Sequence, residues 1–185
     1  MKDATPEDWE IIREYDKLLD DGLAERVLDH LRLLQWIPNG HPISQYEHSL
    51  QTATRAFRDG RDEDYVVCAL LHDIGDILSP HDHARLASTM LKPFVSEALC
   101  WMVEKHPIFQ SYHYYETLGL DPNGRDAFRG HPYFDLTAEF CELYDQCSFD
   151  PAYDNLPLVF CAHGAADHEE ARLMLCSPAV AGPEM

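Results

Sequence analysis

The sequence predicts an all-helical fold, and three observations carry that prediction. Apolar residues recur at three- and four-residue spacing, as at Leu23, Val27, Leu28, Leu31 and Leu34. Clusters of turn formers, Asp20-Asp21-Gly22 and Pro38-Asn39-Gly40-His41-Pro42 among them, punctuate the periodic stretches. No segment shows convincing strand-like alternation, and no internal repeat is visible.

Thr5 reads as an N-cap with Pro6 at the first helical position, opening a helix that runs to about Leu19. The periodic leucines predict a second helix over 23–34. After the turn at 38–42, helices are expected over 44–59, 63–74, 83–91, 93–106 and 135–148. Between His106 and Asp135 lie three tyrosines (Tyr112, Tyr114, Tyr115) and the turn Asp121-Pro122-Asn123-Gly124; this segment reads as a loop with a short helix. Beyond Asp150 the chain is proline-rich to Pro157, and a last short helix is expected over 167–176.

At 185 residues the chain has the length of a single domain, expected to span 1–185. The 45% hydrophobic and 25% charged content is that of a globular domain rather than a disordered chain. Lys and Arg number 14 against 33 for Asp and Glu, a formal charge of −19. Such a surface repels phosphate backbones and argues against nucleic acid as a partner. A small anion is still admissible, because a local Arg or Lys outweighs distant charge within a Debye length of about 8 Å. The longest apolar run, Tyr65 to Leu71, falls far short of the roughly 20 residues that span a bilayer, and no membrane association is expected. The charged N-terminal stretch shows no signal-peptide pattern, so the expected location is cytoplasmic. Six cysteines without a CxxC pair, several at apolar helical positions, read as reduced core thiols.

Chemistry concentrates at His48, the pair His72-Asp73, the histidines His83 and His106, and Asp145. His72-Asp73 ends an apolar helix, and adjacent helical residues diverge by only about 100°, so both side chains can reach one cation. Imidazole nitrogen with carboxylate oxygen suits iron, manganese, cobalt or zinc. A carboxylate can bridge two cations, which makes Asp73 the natural bridge. Buried imidazoles and carboxylates on helices are costly unless paired or metal-bound. Four other histidines, His30, His113, His163 and His168, are read as surface or turn residues.

The order His, then His-Asp, then Asp on separate helices resembles the HD-domain superfamily over roughly Tyr46 to Asp154. The stretches Glu47-His48-Ser49-Leu50-Gln51 and Ala69-Leu70-Leu71-His72-Asp73-Ile74-Gly75 are similar to the branch of phosphonate-cleaving oxygenases and, more distantly, to myo-inositol oxygenase. The resemblance implies an HD helical bundle around a mixed-valent di-iron site, with manganese or another divalent metal as the alternative. By it, His48, His72 and Asp145 would serve one iron, Asp73 would bridge, and His83 and His106 would hold the second. His81 competes with His83 for its place. The implied partners are dioxygen and a small hydroxylated substrate whose C–P or C–C bond is cleaved.

Two positions depart from the phosphonate-cleaving pattern. The stretch 36–41 lacks the Tyr and Glu that those relatives carry, with Pro38 and His41 at about those offsets, and Gln110 stands where they have a substrate-contacting Lys. A metal-dependent phosphohydrolase is the alternative reading, weighed against the few nearby cations: Arg85, Lys92, Lys105, Arg125 and Arg129. A degenerate HD module is a third, against which the complete set of six ligands argues. Arg129 or His131 is a candidate for binding a phosphonate or carboxylate. Asp76, on the face of His72 and Asp73, reads either as an acceptor for a ligand imidazole or as a contact to a cationic substrate group, with Trp36 and the tyrosines offering aromatic faces.

Overall fold

The computed structural model describes residues 2–158, and every regular element in it is helical. Helix α1 (Pro6–Asp21) starts where Thr5 caps the Asp8 N–H and the Asp8 carboxylate caps Thr5 in return. It contributes no buried residue and leans on α2 (Leu23–Arg32), whose Val27, Leu28 and Leu31 enter the core. The expected second helix tightens into a 3₁₀ turn over Leu33–Trp36. The segment that follows leads to α3 (Gln45–Arg58), opened by a capping box between Ser44 and Glu47. Replacing Ser44 by alanine removes that box and is expected to lower unfolding stability by about 1 kcal/mol in urea titrations, without loss of metal.

Helices α3 and α4 (Glu63–Leu71) form the centre. In α4 every residue from Tyr65 to Leu71 is buried, the mark of a helix surrounded on all sides. In α3 the core-facing residues include Ser49, Thr52 and Thr54, whose hydroxyls donate back to the carbonyls of Gln45, His48 and Leu50. Those bonds keep the polar side chains satisfied inside the core. Helices α5 (His83–Leu91) and α6 (Glu97–Gln110) pack against each other, and α6 also lies on α4 and on α7 (Phe134–Phe140).

Several bounds differ from the sequence expectation for identifiable reasons. Ser96 accepts from the Leu99 N–H, so α6 begins after Pro93 rather than at it, and it continues through Pro107 to Gln110. The segment expected as a loop with a short helix holds three 3₁₀ stretches, Ser111–His113, Tyr115–Leu118 and Pro122–Phe128. After α7 the chain widens into one π-helical turn, Cys141–Asp145, closed by Gln146 N–H to Cys141 O. The helix expected over 167–176, with His163, His168, Cys161 and Cys176, lies outside the described residues. Among the described residues no helix is long and apolar enough to cross a membrane.

Candidate metal centre

The six candidate ligands arrive from five places in the fold, and local backbone features aim them inward. His48 sits one turn into α3 on its buried face. His72 and Asp73 follow the last residue of α4, where the chain turns through Ile74 N–H to Leu71 O and Asp76 N–H to Asp73 O. His83 opens α5, and His106 lies within α6. Asp145 ends the π-helical turn, a feature found often at functional sites because it re-aims one side chain without ending the helix. The hydroxyl of the adjacent Tyr144 donates to Asp59 and accepts from Arg61, which fastens this turn to the α3–α4 connection.

The six side chains converge in two sets that share Asp73. Around Asp73 Oδ2 lie His72 Nε2 at 3.2 Å and His48 Nε2 at 3.5 Å. His48 Nε2 is also 3.2 Å from Asp145 Oδ1 and 3.2 Å from His72 Nε2. Around Asp73 Oδ1 lie His106 Nε2 at 3.1 Å and His83 Nε2 at 3.3 Å. The two oxygens of one carboxylate thus face two different pairs of imidazoles. His81, the competitor of His83, is exposed and outside both sets.

The other ring nitrogens fix what those Nε2 atoms can do. His48 Nδ1 donates to Ser148 O at 2.9 Å, His72 Nδ1 to Ala69 O at 2.8 Å and His106 Nδ1 to Val103 O at 2.7 Å. His83 Nδ1 lies 3.2 Å from Asp76 Oδ1. A carbonyl or carboxylate can only accept, so each Nδ1 carries the hydrogen and each neutral ring directs an Nε2 lone pair inward. Lone pairs of His48 and His72 then face each other and the carboxylates, an arrangement that requires a cation or protons between them. Asp145 sharpens the demand: it is fully buried, and its Oδ2 has no hydrogen-bond partner among the described residues.

The charges are consistent with that demand. Burial alone would lower His72, but the charge of Asp73 and the hydrogen bonds to Asp145 and Asp73 outweigh it and hold the imidazole well above its ordinary value. Burial alone would raise Asp73 and Asp145, and the surrounding imidazoles instead hold both well below the usual carboxylate range. Asp76 goes the other way, pushed up to about 6 by burial and by the charge of Asp73. The donor set of nitrogen and oxygen, the shared carboxylate and the orphaned oxygen fit two divalent or trivalent transition metals.

Around this cluster stand residues that sequence reading overlooked or assigned otherwise. Gln45 Nε2 donates to Asp73 Oδ2, and Gln110 Nε2 to Asp145 Oδ1 at 2.7 Å. Phe149 stacks on His48 with ring centroids 4.4 Å apart. A cavity of about 460 Å³ opens on the second set, lined by His41, Gln45, Asp73, Asp76, His83, Gln110, Tyr114, Gln146 and Phe149. Among the described residues no lysine or arginine lines it.

The proposed anion binders are elsewhere. Arg129 is exposed and paired with Asp126 at 2.8 Å, and His131 stacks on Trp101 at 4.2 Å; neither lines the cavity. Trp36 is 75% exposed, and of the tyrosines only Tyr114 reaches the cavity wall. His30 and His113, read as surface or turn residues, are half-buried. Asp76 both holds His83 and faces the cavity. Asp76→Ala is expected to weaken metal binding at the second set about 10- to 100-fold while sparing the first, with partial recovery in Asp76→Asn, which keeps an acceptor. A two-site manganese titration reads both; an unchanged second affinity in the alanine variant would remove Asp76 from this role.

Comparison with known proteins adds one finding. The model of the HD domain family matches residues 45–128, which contain His48, His72, Asp73, His83 and His106. Over those residues the chain is similar to that family, and the all-helical bundle agrees with the likeness. Among the curated proteins none matches the chain.

Proposed function

We propose that this HD-domain chain is a di-iron oxygenase that uses dioxygen to cleave a C–P or C–C bond in a small hydroxylated substrate. The observation that carries the reading is the pairing of a shared Asp73 with a cavity that opens on one of its two histidine sets and that, among the described residues, no lysine or arginine lines. His48, His72, Asp145 and Asp73 Oδ2 would hold one ion; His83, His106 and Asp73 Oδ1 would hold the other. Iron held there supplies the redox chemistry with dioxygen that side chains alone cannot perform.

The protein's own residues then bind, orient and exclude. Gln45 and Gln110 fix the two carboxylates by amide hydrogen bonds, so neither can rotate away when substrate enters. His48, His72 and Asp145 are buried whereas His83 is partly exposed and lines the cavity, so the second set is the face a substrate meets. His41, Tyr114 and Gln146 line the cavity with an imidazole, a phenol and an amide, groups that suit alcohol oxygens. A nucleotide would bring phosphates into a cavity with an acid, Asp76, and no lysine or arginine among the described residues. For that reason we rank the phosphohydrolase below the oxygenase.

The test is oxygen uptake by the iron-loaded, partly reduced protein against hydroxyphosphonates, polyols and amino alcohols. The oxygenase reading expects dioxygen consumption matched to loss of one of these compounds. Release of phosphate from nucleotides or phosphate esters at the same rate under anaerobic conditions would replace it with the hydrolase.

A further inference from the structure

Helix α6 carries a proline where helices least tolerate one. Pro107 lies inside Glu97–Gln110, four residues after Val103. A proline at that point has no N–H to give to the Val103 carbonyl, and its ring crowds that carbonyl. Nothing in packing asks for it: the side chain is half-buried at the rim of a surface cavity. Yet the helix runs on, because Phe109 must reach the core and Gln110 must reach Asp145.

The freed carbonyl has a partner. Val103 O accepts the Nδ1–H of His106 at 2.7 Å, a contact three residues back along the helix. His72 makes the same three-back contact to Ala69 O at 2.8 Å, but there α4 has already ended at Leu71, so the carbonyl is free without help. His106 has no helix end to use. We propose that Pro107 is a positioning residue: by withholding an N–H it reserves the Val103 carbonyl for His106 Nδ1, and so directs the His106 Nε2 lone pair at the second metal position. This rests on the reading of the cluster as a two-metal centre.

An ordinary residue at 107 relieves the ring's crowding of Val103 O and restores a backbone N–H that draws this carbonyl back along the helix axis, away from the His106 ring. The helix gains a hydrogen bond while His106 loses its fixed tautomer and ring orientation. Helix stability and second-site affinity therefore move in opposite directions, which a residue of merely structural importance would not produce.

The experiment compares the full chain with Pro107→Ala by three readouts: two-site manganese titration, thermal melting of the metal-free protein, and ¹⁵N NMR of the histidine tautomers. Expected for the variant are a higher melting temperature, an unchanged first site, a second site weakened about 10- to 100-fold, and loss of the single Nδ1–H tautomer at His106. An unchanged second site overturns the proposal, as does a variant that melts lower or loses both sites together. Failure of the unsubstituted protein to bind a second ion would instead overturn the two-metal reading, and the tautomer comparison in metal-free protein would still decide the role of Pro107.

Discussion

Asp73→Ala is expected to reduce bound metal from about two ions per chain to nearly none. Among the described residues Asp73 alone faces both sets, with Oδ2 toward His48 and His72 and Oδ1 toward His83 and His106. Without it each position loses a ligand, and two cations would face each other with no anion between them. His106→Ala touches one set alone and is expected to leave about one ion per chain. Metal analysis after iron-replete expression distinguishes the two variants. Equal metal loss in both would show that Asp73 is not the shared group.

Gly75→Ala is expected to be nearly as damaging at the second set, although Gly75 binds nothing. A Cβ there would lie 2.4 Å from the carbonyl oxygen of His83 and 2.8 Å and 2.9 Å from its Cα and carbonyl carbon. All three are backbone atoms at the start of α5, so no side chain can swing aside. The helix start must move, and with it His83, whose Nε2 is 3.3 Å from Asp73 Oδ1. Overpacking of this kind costs about 1–3 kcal/mol in folding stability. The larger consequence is geometric: a ligand displaced by an ångström no longer shares an ion with His106. Metal titration should show the first site retained and the second lost, and urea unfolding should show the stability drop. A variant with two intact sites would mean that the backbone approach is looser than the structure has it.

Much of this arrangement was legible in the residues. The apolar run over Tyr65–Leu71 announces a helix buried on all sides, and the capping residues Thr5 and Ser44 announce two helix starts. The six candidate ligands stand out because imidazoles and carboxylates on apolar helical faces need a reason to be there. The parts that stayed hidden share a physical cause, since they depend on backbone groups or neutral amides, which leave no pattern. Ser148 and Val103 act through carbonyls, and every residue has one. The π-helical turn that aims Asp145 has the same apolar spacing as an α-helix to within a residue. Gln45 was within reach of the sequence, being one turn before His48 and so on the same helical face. Arg129 and His131 show the converse limit. They lie between two ligands along the chain, but Asp126 and Trp101 hold them away from the cavity.

The central claim, two irons sharing one carboxylate, is tested most directly by electron paramagnetic resonance of the metal-free protein reloaded anaerobically with iron and reduced by half. Expected are about two irons per chain and the spin-one-half signal of an antiferromagnetically coupled mixed-valent pair, absent in Asp73→Ala. An isolated high-spin ferric signal at one iron per chain would contradict it.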